Sequence, residues 1–273
     1  MKPSRERLLR EMGLGPVWTL RTPREAVNNQ PEIHPAAPDL PLVEATDLDA
    51  PKIKAVPAAV VQAPVAQATV PSATASPDSA IALPDWSSLE ARVAACRQCR
   101  LCETRKQAVL GVGDRQADWL FVGEGPGAEE DARGEPFVGQ AGQLLDNMLA
   151  SIGLRRGHDV YIANAVKCRP PENRTPDAAE IAACRPYLAE QIALLQPKLI
   201  VVMGRPAAQA ILQAEVKISD MRGKLHDYNG IPVIVTYHPA YLLRNLMEKA
   251  KAWEDLCFMR RTMRALKAAW RDE

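Results

Sequence analysis

Short apolar runs alternate with segments of helical periodicity from residue 86 to the C-terminus. The runs ADWLFVG, DVYIANAV, KLIVVMG and IPVIVTYH are rich in β-branched and aromatic residues and are bounded by glycine, proline or polar residues. They predict four buried strands. Strands that alternate with helices indicate a parallel sheet covered on both faces. The sequence therefore predicts an α/β fold, a three-layer α/β/α sandwich around a central, mostly parallel four-stranded sheet.

Two segments between or after these strands have the periodicity of amphipathic helices. One follows the first strand, and Gly153 is a suitable stop for it. Its apolar residues at helical spacing are Ala141, Leu144, Leu145, Met148, Leu149 and Ile152. The run from Lys249 to Arg271 predicts a C-terminal amphipathic helix that packs on the sheet with its charges in solvent.

A third helix is predicted after the sequence NRT. Thr175 has the residue type of an N-cap, and Pro176 suits a first helical position. Pro186 disfavours one uninterrupted helix from 176 to 196 because it lacks a backbone N–H. We therefore expect Cys184 to lie near a break or kink.

The first 85 residues differ in composition from the rest. Residues 22–85 are rich in Pro, Ala, Val and Gln, without sustained periodicity or aromatic anchors, which predicts a disordered linker. Residues 1–21 predict a short amphipathic segment, whose apolar side would comprise Leu8, Leu9, Met12, Val17 and Trp18. Residues 1–20 are a candidate docking peptide for a protein partner, and a frayed helix without a partner is the alternative. Residues 86–273 would form the folded domain.

Composition and charge exclude several classes of protein. The net charge of the 273 residues is +1, so a polyanion would be bound by a local patch. No run of about 18 apolar residues predicts a membrane span. The N-terminus lacks the apolar run of a signal peptide, and Glu6 and Glu11 argue against a transit peptide. We therefore expect a cytoplasmic protein, whose six cysteines are metal ligands or buried thiols.

Polar and glycine-rich segments follow all four predicted strands. The first strand runs into GEGPGAEEDARGEPFVG, and the second runs into Asn164 and a cysteine-containing loop. The third ends at Gly204 and Arg205, and the fourth ends at His238. Parallel sheets bind ligands beyond the carboxyl ends of their strands, so these segments predict a site at one edge of the sheet.

The segment from Gly123 to Ala128 also fits the GxGxxA dinucleotide fingerprint. Such a site needs an acidic residue about 20 positions further on, at the end of the next strand, but Asp146 falls in the middle of a predicted helix. Pro126 and the EED run also suit poorly a helix N-terminus that receives a pyrophosphate. A nucleotide-binding α/β protein is thus the weaker alternative.

The cysteines predict a metal site. Cys96 and Cys99 form a CxxC pair, and Cys168 and Cys184 have 15 residues between them, so four thiolates could close one site. Zinc and iron–sulfur clusters both accept four thiolates. Cys102 makes the first pair ambiguous, because it forms CxxC with Cys99 as well. Ordinary buried thiols are the remaining alternative.

Four motifs occur in order over about residues 90–270: a CxxC pair, GEGPGAEEDARGEPFVGQAGQLLD, YIANAVKCRPPENRTP and HPAYLLR. Together they resemble the family 4 uracil-DNA glycosylases, the iron–sulfur branch of the uracil-DNA glycosylase superfamily. The N-terminal extension lies outside this match, Ala128 replaces a residue that is often acidic, and Cys102 and Cys257 are additional thiols. The resemblance implies a [4Fe-4S] cluster bound by Cys96, Cys99, Cys168 and Cys184. No histidine lies between Cys168 and Cys184, unlike in the related branch that is trapped covalently on uracil-DNA.

The resemblance also implies a uracil pocket, which comprises Gly123, Glu124, Gly125, Phe137, Asn164 and His238. The Asn164 amide can pair with the N3–H and O4 edge of uracil, whereas cytosine presents the reverse polarity. Phe137 would stack on the base, although a buried core role is the usual one for phenylalanine. His238 can donate to uracil O2 as negative charge develops on the leaving base, and a structural loop cap is the alternative role.

Acidic and basic residues complete the expected site. Glu124 is implied at the position of uracil and the attacking water, with Glu130 and Asp131 as nearby carboxylates, unless the run from Glu129 to Asp131 is simply solvated. Either Leu242 or Leu243 could fill the space left by an extruded base. The basic residues that suit phosphate contact are Lys167, Arg169, Arg174, Arg205, Arg222, Lys224 and Arg244.

These features predict a monomeric, monofunctional uracil-DNA glycosylase that acts on uracil-containing DNA and leaves an abasic site. In this interpretation Glu124 and His238 are the catalytic residues, and Arg169, Arg174, Leu243 and Arg244 bind DNA. The alternatives are a nucleotide-binding α/β protein and a metal-stabilised DNA-binding module without catalysis.

Overall fold

The protein is described here by a computed structural model that covers residues 85–215 and 217–270. The predicted N-terminal amphipathic segment and the linker lie outside the described residues, except for Asp85. That residue caps the first helix, because its carboxylate accepts the Ser88 backbone N–H at 2.8 Å.

The described residues form one six-stranded sheet in the order β1-β3-β2-β4-β6-β5. The strands are β1 (Gly111–Gly113), β2 (Trp119–Gly123), β3 (Val160–Asn164), β4 (Leu199–Met203), β5 (Leu225–Tyr228) and β6 (Ile231–Thr236). The central strands β3, β2, β4 and β6 are parallel, whereas β1 and β5 pair antiparallel at the two edges. The four predicted strands are therefore confirmed, and the two edge strands were missed.

The edge strands lack the pattern that reveals the central ones. β1 has the sequence GVG, in which two glycines carry no side chain to show alternation, and β5 has the mostly polar sequence LHDY. β2, β3 and β4 are buried at every position, as strands covered on both faces should be. Continuous apolar runs mark such strands in a sequence, and short edge strands leave no such signal.

Helices cover both faces of the sheet. Their bounds are α1 (Trp86–Ala95), α2 (Leu101–Thr104), α3 (Ala128–Arg133), α4 (Gln140–Ser151), α5 (Ala178–Leu195), α6 (Arg205–Leu212), α7 (Ile218–Met221), α8 (Pro239–Arg244) and α9 (Lys249–Ala269). Leu120 and Val122 of β2 pack with α1, α5 and α6, whereas Trp119 and Phe121 pack with α4 and α9. Successive side chains of a strand point to opposite faces, so the predicted three-layer sandwich is confirmed.

Two predicted helices are present as expected. Leu144, Leu145, Met148 and Leu149 of α4 are buried, and Gly153 follows its end with a left-handed φ of 85°. In α9, the residues Ala252, Leu256, Met259 and Met263 are buried at helical spacing. The expectation that the charges of α9 lie in solvent was wrong for Lys249 and Asp255, which are buried; Asp255 accepts hydrogen bonds from Arg222 and Thr236. None of the helices among residues 85–215 and 217–270 combines the length and apolar character that a bilayer crossing requires.

The prediction for the third helix was wrong in two respects. α5 begins at Ala178, after a capping box in which Asp177 accepts from the Glu180 N–H and Glu180 accepts from the Asp177 N–H. The helix then continues through Pro186 without interruption. An internal proline costs about 3 kcal/mol, but each apolar side chain that α5 buries against the sheet returns about 1.5–3 kcal/mol. Cys184 therefore lies within a continuous helix.

Candidate active site

A cavity of about 750 Å³ opens at the carboxyl edge of the parallel strands. The strand order places a crevice between the ends of β2 and β4, where chain connections diverge to opposite sides of the sheet. Asn164 at the end of β3 and residues that follow the four parallel strands line it, drawn from 124–130, 170–176, 204–206 and 237–244. The predicted convergence of the strand ends is present in the structure.

Asn164 is the last residue of β3 and lines this cavity. Its side chain is 1% exposed, and its Oδ1 atom has no hydrogen-bond partner. An unsatisfied buried acceptor costs about 1–3 kcal/mol. A ligand that brings an N–H group to this atom would recover that free energy.

Two glycines keep space open in the site, Gly123 beside Asn164 and Gly204 beside His238. Gly123 pairs with Asn164 across β2 and β3, and a Cβ atom there would lie 2.6 Å from Asn164 Oδ1 and 2.5 Å from Phe137 Cζ. Gly204 has a left-handed φ of 90°, and a Cβ atom there would lie 3.1 Å from the Cβ of His238. Any larger residue at Gly123 would displace the side chains of the site. Gly125 lines the cavity as well.

Phe137 lies in the loop between α3 and α4 and contributes to the cavity wall. Its ring is 6% exposed and stacks on the His238 ring with a centroid distance of 5.4 Å and an interplanar angle of 29°. The backbone at Phe137 has a φ of 56°, and Arg156 donates to its carbonyl oxygen at 2.8 Å. Phe137 thus belongs both to the core beneath the loop and to the cavity wall.

His238 follows β6 and caps α8. Its Nδ1 accepts the Ala240 backbone N–H at 3.2 Å, which assigns the proton of a neutral ring to Nε2. The pKa of His238 is lowered to about 4, chiefly by burial and also by the positive charge of Arg244, while the Glu130 carboxylate opposes the shift. The imidazole is therefore neutral near pH 7 and has one N–H group to donate.

Glu124 follows β2 directly and is half-buried in the cavity wall. Burial raises the pKa of its carboxyl group, whereas a hydrogen bond from Thr175 and the positive charges of Arg205 and Arg244 act in the opposite direction. A carboxylate in this position can accept a hydrogen bond from a water molecule and can stabilise nearby positive charge.

Glu130 and Asp131 both accept hydrogen bonds from backbone N–H groups, and Glu130 also lines the large cavity, so a part for Glu130 in orienting water stays a prediction. Glu130 accepts the backbone N–H groups of Gly127 at 3.0 Å, Val138 at 2.9 Å and Gly139 at 3.1 Å. It thereby holds the loop that contains Phe137. Asp131 is buried and accepts the Lys106 N–H at 2.9 Å. Of the acidic run, only Glu129 is the exposed, solvated residue that the alternative interpretation expected.

A second, much smaller cavity lies on the other side of the cysteine-containing loop. Cys96, Cys99, Cys168 and Cys184 line it together with Cys102, and all are free thiols. Within the described ranges, no three His, Cys, Asp or Glu side chains converge closely enough to hold a single metal ion. The four cysteines predicted as ligands nevertheless line one cavity.

Hydrogen-bond donors and cations surround these thiols. Arg105 donates to Cys168 Sγ at 2.7 Å, and the Lys167 backbone N–H donates to Cys184 Sγ at 3.2 Å. Burial raises the pKa of Cys168 to about 11, and the hydrogen bond from Arg105 opposes the increase. Burial likewise lowers the pKa of Lys167 to about 8. Burial therefore favours the protonated thiols, whereas Arg105 and the Lys167 N–H donate to sulfur atoms that would lose their protons if a metal group bound.

The predicted phosphate-binding residues divide into two groups. Arg174, Arg205 and Arg244 line the large cavity, and Arg174 also pairs with Glu180 at 2.6 Å. Arg169 lies on the same loop, where its Nε donates to Asn173, and Lys224 is exposed. These residues remain available to a polyanion.

The prediction that Lys167 and Arg222 contact phosphates was wrong. Lys167 is 1% exposed, and Arg222 forms an ion pair with the buried Asp255 at 2.7 Å. Of the two leucines, Leu242 is buried in the core, whereas Leu243 is 39% exposed. Periodicity in a segment as short as α8 does not reveal which of two adjacent leucines faces inward.

Sequence reasoning missed two tyrosines of the cavity wall. Tyr237 and Tyr241 stack with a centroid distance of 5.2 Å and an interplanar angle of 20°. The sequence did contain a signal for this contact: Tyr237 and Tyr241 are four residues apart at the start of α8, and side chains at this spacing lie close together in a helix. Thr175, expected as a helix cap, instead lines the large cavity, and Asp177 caps α5.

Comparisons with known proteins agree with this geometry. Residues 110–257 match the family model of the uracil DNA glycosylase superfamily. The chain is 43% identical over 183 residues to the Type-4 uracil-DNA glycosylase of Pyrobaculum aerophilum, which covers 63% of this chain and 91% of the relative. It is 47% identical to the Archaeoglobus fulgidus Type-4 enzyme (55% and 79% coverage) and 48% identical to that of Thermotoga maritima (56% and 81%). The resemblance in the motifs is thereby confirmed, and the chain belongs to the family 4 branch of the uracil-DNA glycosylase superfamily.

Proposed function

We propose that this protein hydrolyses the N-glycosidic bond of uracil in DNA, releases uracil and leaves an abasic site, as in base excision repair. The observation that carries this proposal is the unsatisfied Oδ1 atom of Asn164, buried in the wall of the large cavity. Uracil has an N–H donor at N3, whereas cytosine has a lone pair there. Uracil therefore satisfies this acceptor and cytosine leaves it unpaired.

Binding of the base requires that the nucleotide leave the helical stack, because its edge is not reachable within a duplex. Gly123 leaves room beside Asn164, and Phe137 provides an aromatic surface at the same point. The loop that presents Phe137 is fixed by the three hydrogen bonds that Glu130 accepts. The pocket is thus formed before the base arrives, which lowers the entropic cost of binding.

His238 is the residue that stabilises the leaving group. As the glycosidic bond breaks, negative charge develops on uracil, and the Nε2–H group donates to O2. Because the pKa of His238 is lowered to about 4, the neutral ring makes this hydrogen bond and keeps its proton. A donor already aimed at the developing charge needs little reorganisation in the transition state.

Glu124 is the residue that acts on the water and the sugar. Bond cleavage leaves positive charge on the deoxyribose, which a nearby carboxylate stabilises, and the same carboxylate can orient the attacking water. Thr175, Arg205 and Arg244 support its charged form. Glu130 lines the same cavity and is the second carboxylate near this step, whereas Asp131 is buried and accepts the Lys106 N–H.

Cys96, Cys99, Cys168 and Cys184 would hold a [4Fe-4S] cluster. Four free thiols line one cavity, and four thiolates suit either zinc or a cluster; the membership of the family 4 branch supports the cluster. Arg105 and the Lys167 backbone N–H already donate to two of the sulfurs. When bound, the cluster supplies structural cross-linking of α1, α5 and the loop after β3.

DNA would be bound across the mouth of the large cavity. Arg169, Arg174 and Arg244 contact phosphates, and the exposed Leu243 fills the space of the extruded base. We place the activity in a monomeric, cytoplasmic protein whose glycosylase domain is residues 86–273. Residues 22–85 would form a linker to the segment 1–20, for which a protein partner is proposed.

The decisive test uses a labelled oligonucleotide that contains one uracil. Purified full-length protein should release uracil and leave a site that alkali cleaves, while the matched oligonucleotides with cytosine or thymine stay intact. Absence of alkali-dependent cleavage would overturn the proposal, and binding without cleavage would favour a DNA-binding module. Iron and sulfide analysis of anaerobically purified protein tests the cluster, and zinc alone would rule it out.

A further inference from the structure

Lys167 is a buried cation without an anionic partner. It is 1% exposed, and its Nζ donates to the backbone carbonyl of Asn164 at 2.7 Å and to the side-chain oxygen of Gln191. Both acceptors are neutral, and no carboxylate forms an ion pair with Lys167 within the described part of the chain. Burial of an unpaired charge is costly, so its presence here requires an explanation.

The position of Lys167 connects the two cavities. Its side chain reaches back to Asn164, whose amide faces the large cavity. Lys167 itself lines the cysteine cavity, where its backbone N–H donates to Cys184 and the next residue is Cys168. The thiolates of a bound metal group would be the negative charge closest to the ammonium.

The rest of the surroundings fix this ammonium in place. Gln191 is fully buried, and its amide donates to the Leu110 carbonyl at 3.0 Å and to the Tyr161 hydroxyl at 3.3 Å. The Lys167 carbonyl accepts the Val109 N–H at 2.8 Å. A network with each polar group bonded has one preferred arrangement, so a shift of the ammonium would shift the backbone at Asn164.

We propose that Lys167 is a positioning residue whose ammonium fixes the main chain of Asn164 for uracil recognition, with the cysteine site as its counter-charge. This inference rests on the proposed function. If so, the buried Lys167 side chain connects the cysteine site to the uracil cavity. Damage at the cysteine site then weakens uracil recognition through Lys167, without any contact between the cysteines and the base.

A double-mutant cycle tests the inference. Lys167→Met keeps the length of the side chain and removes the ammonium, and single-turnover excision is compared in the natural background and in Asn164→Ala. We expect Lys167→Met to slow excision about ten-fold in the natural background and less than about two-fold in Asn164→Ala, because residues in one network are not additive. Iron content is measured for each variant.

The control is Lys267→Met. Lys267 pairs with Asp118 and Asp159 at the opposite edge of the sheet, so its loss should leave excision unchanged in both backgrounds. Equal effects of Lys167→Met in the two backgrounds would overturn the inference, because a merely structural role is additive. If Lys167→Met does not retain iron, Gln191→Leu replaces it in the same cycle and the same criterion decides. A natural protein that does not excise uracil refutes the proposed function instead.

Discussion

The two cavities that flank the end of β3 are built in opposite ways. The large cavity contains an unsatisfied amide oxygen at Asn164 and a histidine kept neutral by burial. The cysteine cavity is small, and two of its sulfur atoms already accept hydrogen bonds from Arg105 and the Lys167 backbone. An unsatisfied group favours a ligand that comes and goes, whereas sulfur atoms supported by donors and cations favour a group that stays bound.

Residues 164–168 contribute to both cavities. Asn164 ends β3 at the large cavity, and Cys168 lines the small one. Lys167 lies between them, and it donates to the Asn164 carbonyl through Nζ and to Cys184 Sγ through its backbone N–H. The short separation means that a single loop sets the geometry of both. Some variants should impair one cavity and leave the other intact, whereas a variant of a shared residue should affect both.

The largest expected effect is at the open cavity. Asn164→Asp replaces the amide by a carboxylate that repels uracil O4, and we expect kcat/KM for uracil excision to fall about 1,000-fold or more, since sites built on hydrogen bonds discriminate strongly. Asn229→Asp makes the same change in the exposed turn between β5 and β6 and should leave kcat/KM unchanged. Equal kinetics for Asn164→Asp and the natural protein would remove Asn164 from the pocket.

The next effect concerns the cysteine cavity. Cys168→Ala should lose iron and sulfide and lower Tm by about 5–10 °C, because metal binding contributes to folding. Cys102→Ala is the matched control, since Cys102 lines the same cavity and stands outside the implied ligand set. Metal analysis and thermal unfolding of both variants measure the difference. Loss of iron in Cys102→Ala alone would show that the other CxxC pairing is used.

The pH dependence of the excision rate distinguishes a histidine with a lowered pKa from one that titrates near pH 6.5. Because the pKa of His238 is lowered to about 4, the excision rate should show no step near pH 6.5 and should fall only as the pH approaches 4. The unfolded chain binds more protons than the folded chain between these two values, so this group's contribution to stability is complete above about pH 6.5 and declines as the pH falls toward 4.

The pH profile is measured for the natural protein and for Glu124→Gln, which lacks the other titrating group. If the excision rate of Glu124→Gln still declines as the pH approaches 4, the decline is caused by protonation of His238. A rate that rises on protonation near pH 6.5 would contradict the neutral donor, because it would require a cationic imidazole in the reaction.

The smallest effect is expected at the rim of the open cavity. Leu243→Ala should slow excision from double-stranded DNA about three-fold and leave single-stranded DNA unaffected, because only a duplex leaves a gap to fill. Leu225→Ala serves as the control, since Leu225 is exposed on the edge strand β5. Equal slowing on both substrates would assign Leu243 a role other than insertion.

Much of the fold and site was predictable because its signals are local. The continuous apolar runs of β2, β3, β4 and β6 revealed a covered parallel sheet, and strand direction then placed Glu124, Asn164 and His238 at one edge. The DAAE sequence at Asp177–Glu180 also contained a capping signal that the prediction overlooked. The family resemblance supplied the roles of the residues at that edge.

Other features depended on contacts between distant segments. Pro186 was expected to interrupt a helix, but burial of α5 against the sheet outweighs one missing hydrogen bond. The supporting role of Glu130 was not foreseen, because the loop returns so that its carboxylate accepts backbone N–H groups eight and nine residues further on. The local sequence around a glutamate does not show which backbone N–H groups from another segment will donate to its carboxylate.

By itself, the sequence determined the α/β class, the edge of the sheet where the site lies and the chemistry available there, because these follow from periodicity and residue type. Only the tertiary structure decided which charges are free to act. Lys167 and Arg169 lie two positions apart in the same basic loop, yet one is buried beneath Asn164 and the other is accessible. Burial and hydrogen bonding arise from packing between distant segments, and they set whether a lysine binds phosphate or holds a backbone in place.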